Sequence, residues 1–171
     1  VAALAAPSPS QGHIGVTMQP QEGDNWCWAA VAVSVRNFLD PADPLRQCDL
    51  ANTQLNRTDC CQDPKPGDCD VPSALDLALT NAQVPSTNQS GTLLFSEVAT
   101  EIGGNRPVMC AIRWASGFVY HFIQIDGFVQ SGRGNELIVN DPQMPQSRIP
   151  FNTLFSTYRG TGSWVWTYKT L

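Results

Sequence analysis

Residues 21–35 read "QEGDNWCWAAVAVSV". A polar, turn-forming run, Glu22 to Asn25, gives way to an almost wholly apolar stretch in which Cys27 lies between Trp26 and Trp28. Ala and Val fill Ala29 to Val33, so the helix predicted from Cys27 to about Leu39 has no polar face there and is buried nearly all round. "DPADP" (40–44) stops it, because proline ends helices and restricts the residue before it. Cys27 is then either one more small core residue or a nucleophile mounted at a helix N-terminus. The rest of the chain decides between the two.

Composition narrows the classes. The 171 residues suit one compact domain or two small lobes sharing an interface, and 42% hydrophobic with 15% charged residues is globular in character. A formal net charge of −5 with no basic run argues against nucleic acid or anionic lipid as a partner. No stretch approaches the roughly 18 apolar residues of a membrane span. "VAALAAPSPSQG" (1–12) reads as the small-residue end of a signal or pro-segment followed by a linker, or as a plain disordered tail. Residues 1–15 are accordingly expected to form a flexible tail, with a single domain over 16–171.

Six cysteines occur, and four of them, Cys48, Cys60, Cys61 and Cys69, crowd one turn-rich stretch. Their spacing contains no C-x-x-C pair and no histidine lies nearby, so zinc fits poorly and no metal is expected. Two local disulfides fit better, each contributing about 3 kcal/mol if unstrained, and they imply an oxidising compartment: a secreted, extracellular or periplasmic protein. The adjacent Cys60 and Cys61 should bond to different partners, and the expected pairing is Cys48–Cys60 with Cys61–Cys69. Cys27 and Cys110 are left over. Cys110, in an apolar strand, reads as an inert buried thiol.

A second helix is predicted over Gln47 to Leu55. Another lies within "VPSALDLALTNA" (71–82), with Asp70 or Ser73 as cap, and a polar linker "VPSTNQSGT" (84–92) follows. The helix in "LFSEVATEIGGN" (94–105) should be capped by Ser96 and closed by Gly103 and Gly104. From residue 107 the character changes to strands: "PVMCAIRW", "FVYHFIQIDGFV", "NELIVND" and "GSWVWTYKT". Helices first and strands afterwards is the α+β pattern, with a helical lobe over about 16–104 meeting a β lobe over about 105–171 at a cleft. Trp164 and Trp166, one residue apart, are expected on the same side of the last strand as core cover.

His13 falls in the tail, where a solvated side chain is expected. His121 sits inside a hydrophobic strand, where an imidazole needs a hydrogen-bond partner. By itself a strand histidine is more often structural than catalytic. Asn140 and Asp141 end the next strand just before Pro142. The order is informative: a cysteine at a helix start, a histidine on a strand, an Asx at a strand end. Exposed N–H groups at a helix N-terminus favour thiolate over thiol, an imidazolium nearby adds to this, and the Asx would orient the imidazole. An oxyanion needs donors, and Gln21, six residues ahead of Cys27, could join the Cys27 backbone N–H in supplying them.

"Q-x5-C-W-A", followed by "NRPVMCAIRW…HFIQIDGF…LIVNDP", resembles the papain-like cysteine proteases. The resemblance is to the compact bacterial branch: type III effector proteases, staphopains and the peptidase domains of bacteriocin exporters. It covers about Met18 to Tyr168. It implies a papain-like fold with a central buried helix carrying the cysteine and an antiparallel sheet or half-barrel as the second lobe. It further implies Cys27 as nucleophile, His121 as general base and acid, Asp141 as orienter and Gln21 in the oxyanion hole, with no cofactor. The larger papain-like enzymes use asparagine, which keeps Asn140 as an alternative third member; the family's "DP" favours Asp141. Val119 and Tyr120 stand where the family often has small residues, so Tyr120 could narrow the leaving-group side. Trp26 and Trp28 are candidates for lining the cleft, with core packing the competing role.

The function expected is therefore a secreted endopeptidase acting, as a monomer, on protein or peptide substrates through a thioacyl-enzyme. A pro-segment or a proteinaceous inhibitor would be its other partner. Glutamine deamidases, transglutaminases and cell-wall amidases use the same triad and form the alternative. A binding module on a degenerate protease fold is a third reading, which the complete Cys/His/Asp/Gln set opposes.

Overall fold

The structure, a computed structural model, describes residues 10–171. In chain order its elements are β1 (Gln11–His13), α1 (Cys27–Leu39), α2 (Gln47–Leu55), a 3-10 turn (Gly67–Cys69), α3 (Leu75–Asn81), β2 (Ser86–Ser90), α4 (Phe95–Gly103), β3 (Val108–Trp114), β4 (Tyr120–Ser131), β5 (Gly134–Asp141), β6 (Met144–Pro150), α5 (Phe151–Ser156) and β7 (Gly162–Thr170). No helix among the described residues is long and apolar enough to cross a membrane.

The apolar run that opens α1 is buried without a break from Cys27 to Val35. Trp26, Trp28, Val31 and Val35 meet Leu50 of α2 and Leu75 and Leu79 of α3 in one core, which Met109, Ala111, Phe122 and Tyr168 extend from the sheet. The four clustered cysteines form two disulfides, but paired otherwise than expected: Cys48–Cys61 and Cys60–Cys69. The reason lies in the opposed directions of neighbouring side chains. Cys60 turns inward, fully buried with Cys69, while Cys61 stays at the surface against α2, where Asp49 and Asn52 lie within reach of its sulfur.

The strands make one antiparallel sheet in the order β2-β7-β3-β4-β5-β6, with β1 added alongside β4. Period-two alternation sorts their side chains between two cores. Met109, Ala111 and Phe122 face the helices, whereas Val108, Cys110, Ile112, Ile123 and Ile125 face a second core with Phe128, Leu137, Val139 and Leu154. Val98 and Ile102 of α4 belong to that second core, and β2 pairs with β7. The division at residue 104 is therefore not a division in space: β1, β2 and α4 all attach to the sheet.

Other expectations change at this level. Gln11–His13 is a strand rather than tail, paired with Gly127–Val129. Gly12 is required there, since a Cβ would come within 2.6 Å of the Phe128 ring. His13 is correspondingly not a free solvated residue: its Nε2 lies 2.6 Å from Asp126, whose side chain is fully buried. The part of the tail over 1–9 lies outside the described residues. Trp164 is 3% exposed and Trp166 39%, so they do not share a side. A bulge opposite Ala111 and Ile112 inserts one residue in β7 and reverses the facing. Glu97, not Ser96, caps α4 by accepting the Leu94 N–H at 2.6 Å. At α3, neither Ser73 nor Asp70 caps; Ala74 holds that position. The polar strands β2 and β6 and the short α5 carry little hydrophobic alternation, which hid them in the sequence.

Candidate active site

The loop before α1 is moulded on residues 69–71. Asp70 accepts the backbone N–H groups of Asp24 (3.0 Å) and Asn25 (2.8 Å), and its carbonyl accepts the Asn25 amide. The Trp26 indole donates to Cys69 O at 2.6 Å, and that of Trp28 to Val71 O at 3.1 Å. Lys65 sits over the Trp26 ring, 3.3 Å from its centroid. A side chain at Gly23 would meet the Asp70 carboxylate at 2.8 Å, so glycine lets the two segments close together. These contacts fix Cys27 as the first residue of α1, with its backbone N–H bonded to no backbone acceptor among the described residues. Such unpaired N–H groups are the donors an anion would use.

Against that helix end lies the start of β4. The Cys27 thiol donates to Tyr120 O across 4.0 Å, a long contact even for sulfur, and lies beside His121. His121 is 4% exposed and its Nε2 lies 2.8 Å from Asp141 Oδ1. Its other nitrogen is thereby left for Cys27. Burial works against the imidazolium, but the Asp141 hydrogen bond and the nearby Cys27 outweigh it, and His121 is pushed up to about 9. For Asp141 burial opposes the carboxylate, yet hydrogen bonds from His121, the Gln143 N–H and Tyr158 hold it below the ordinary range. The pair is built to carry opposite charges at neutral pH.

Strand alternation separates the two neighbouring Asx residues. Asp141 turns to His121, whereas the Asn140 amide donates to Val16 O (2.9 Å) and Gln124 Oε1 (2.8 Å) and its oxygen accepts from Gln146. Asn140 therefore does not touch the imidazole. Gln21 lies in the loop ahead of Cys27, but both amide hydrogens go to loop carbonyls, Gly23 O and Asp24 O, each at 2.8 Å. Its Oε1 is buried without a hydrogen-bond partner among the described residues. Trp26, a candidate for lining the cleft, is fully buried behind the loop and does not line it; Trp28 and Tyr120 do, Tyr120 at 47% exposure. Cys110 is buried in β3, and burial pushes its thiol well above the ordinary range.

Cys27 and His121 share a small cleft of about 130 Å³ with Asn25, Ser73 and Gln143. It adjoins a more apolar recess of about 360 Å³ walled by Phe118, Phe122 and Tyr168. Several site residues escaped the sequence reading. Trp114 stacks on the His121 ring, with centroids 6.0 Å apart and planes 27° from parallel. Tyr158 donates its hydroxyl to Asp141 Oδ2 at 2.8 Å, and Arg159 Nη1 lies 3.3 Å from the same oxygen. The only signal for Tyr158 and Arg159 was the glycine-punctuated "YRGTGSW" (158–164), which places a tyrosine and a cation beside a tight turn.

A family model described as papain-like cysteine protease AvrRpt2 matches residues 10–158. No curated protein matches the chain. Among solved structures, digestive procathepsin L 3 of the Tenebrio molitor larval midgut superposes with a TM-score of 0.55 at 10% identity, covering 99% of this chain and 72% of that one. At that identity the likeness is one of fold: helices around a buried central helix, against an antiparallel sheet. With the family model spanning most of its length, the chain belongs to the papain-like cysteine proteases.

Proposed function

We propose that the protein is a cysteine endopeptidase that works through a thioacyl-enzyme, with Cys27, His121 and Asp141 as its triad. The observation that carries this reading is the His121–Asp141 contact of 2.8 Å, buried beside a cysteine at the unpaired N-terminus of α1. Cys27 attacks the scissile carbonyl, and His121 protonates the leaving amine. His121 then takes a proton from the water that hydrolyses the thioester. Asp141 orients the ring and stabilises the imidazolium. The Cys27 N–H is one oxyanion donor; Gln21 supplies the second when its amide leaves the carbonyls of Gly23 and Asp24 as substrate arrives. The recess beside the cleft suits an apolar substrate side chain near the cleaved bond. Two disulfides support folding in an oxidising compartment, and secretion belongs to the same reading.

Mass spectrometry of proteins treated with wild-type enzyme and with Cys27→Ala tests this. Chain cleavage by the wild type alone is expected. Intact chains gaining about 1 Da per glutamine, the signature of deamidation by the same triad chemistry, would replace peptidase with deamidase.

A further inference from the structure

A buried carboxylate that must aim one oxygen at a histidine needs its other oxygen held as well. Asp141 is 3% exposed, and its hydrogen bonds divide cleanly. Oδ1 meets His121 Nε2 at 2.8 Å and the Gln143 N–H at 2.9 Å; Oδ2 accepts the Tyr158 hydroxyl at 2.8 Å and faces Arg159 Nη1 at 3.3 Å. Tyr158 and Arg159 therefore attend to the oxygen that the histidine does not use.

The chain builds this pair deliberately at one turn. Tyr158 N–H donates to Gly162 O at 3.0 Å and Gly162 N–H to Tyr158 O at 2.8 Å, closing a tight loop in which Arg159 has φ +48° and Gly160 φ +96°. A Cβ on Gly162 would lie 2.8 Å from Trp114 Cζ3, so glycine lets the turn pack directly on that indole. Trp114 in turn stacks on Tyr158 (6.4 Å, 25°) as well as on His121, and Arg159 lies over it at 5.7 Å. One indole thus registers the imidazole and both groups on the carboxylate. Arg159 also reaches Gln143 Oε1 at 3.0 Å, tying in the residue whose N–H holds Oδ1.

We propose that Tyr158 and Arg159 are positioning residues of the reaction, clamping Oδ2 of Asp141 so that Oδ1 stays fixed on His121. The proposal rests on the triad reading of Cys27, His121 and Asp141. The ionisable groups around the carboxylate come from every neighbouring element: His121 from β4, with Cys27 of α1 beyond it, Tyr158 and Arg159 from the turn after α5, and Cys110 of β3 behind Tyr158 as a neutral thiol. Arg159 is the one fixed cation in this set. Removing it, or the Tyr158 hydroxyl, takes away a partner of the carboxylate, so Asp141 holds its proton to higher pH.

The test is kcat/KM against pH for wild type, Tyr158→Phe, Arg159→Ala and Arg159→Lys, with thermal melts as a control on folding. The acid limb is expected to move up by about 0.5–1 pH unit in Tyr158→Phe and Arg159→Ala, and kcat/KM near neutrality to fall about tenfold through kcat. Arg159→Lys keeps the charge and should restore the limb. Arg159 is partly exposed, so its variants stay folded even if Tyr158→Phe does not. Unmoved limbs in folded variants would overturn the clamp, as would an equal loss in Arg159→Ala and Arg159→Lys with no shift. Activity surviving in Cys27→Ala would instead overturn the triad reading beneath it.

Discussion

At the residue scale, the titrating pair of the candidate site is His121 and Asp141, each nearly inaccessible to water. Their titration couples to stability with opposite signs. His121 is raised from 6.5 to about 9, so the stabilisation from its protonated form is complete below about 6.5 and disappears as pH climbs through 9. Asp141 is depressed below 3.8, so its contribution is present above that value and fades in acid. Thermal melts between pH 6 and 10 should show stability declining toward pH 9, and His121→Ala should flatten that decline; parallel curves would exclude the coupling. Cys27, His121 and Asp141, the proposed triad, could be nominated from chain order because each belongs to a motif short in sequence, and His121 and Asp141 lie 2.8 Å apart. Tyr158 and Arg159 could not, since their role exists only once a glycine turn folds them onto Trp114. Gln21 shows the same limit from the other side: its spacing was readable, but the direction of its amide was not.

At the element scale, α1 and α2 span the residues expected for them, α1 stopped by the prolines after Leu39 and α2 closed by Asn56 in the left-handed conformation. The strands that escaped, β2 and β6, are polar edges: β2 pairs with the distant β7, and β6 is the return arm of a hairpin with β5. Packing, too, was hidden: nothing in "LFSEVATEIGGN" says on which face of the sheet α4 lies. The element that presents Cys27 is the loop before α1, held by Asp70 through two backbone N–H groups. Asp70→Ala leaves both donors without that partner and should cost about 1–3 kcal/mol. Urea unfolding should report that loss, and kcat/KM should fall with it because the start of α1 loses its template. Unchanged values of both would show that the loop holds its own shape.

At the scale of the whole molecule, the disulfides divide in purpose by where they attach. Cys60–Cys69 ends at the carbonyl that receives the Trp26 indole, whereas Cys48–Cys61 fastens the surface of α2. Replacing either pair by serine should lower stability by about 2–4 kcal/mol, measured by denaturant unfolding. Only loss of Cys60–Cys69 should lower kcat/KM beyond what the fraction unfolded explains. Equal effects on activity would remove the link between that bridge and the site. The α+β class and the cleft were readable from the order of helices and strands, while the cysteine pairing was not, because it depends on which way two adjacent side chains point.

If Cys27 is a nucleophile activated by His121, its reactivity depends on that imidazole. The direct measurement is the rate of iodoacetamide alkylation at neutral pH, with the modified site mapped by mass spectrometry, in wild type and in His121→Ala. The chain has two free thiols, Cys27 and Cys110, which makes the comparison internal. Modification is expected at Cys27 alone, slowed about 10- to 100-fold in folded His121→Ala. A Cys27 rate unchanged by that substitution, or Cys110 modified equally fast, would contradict it.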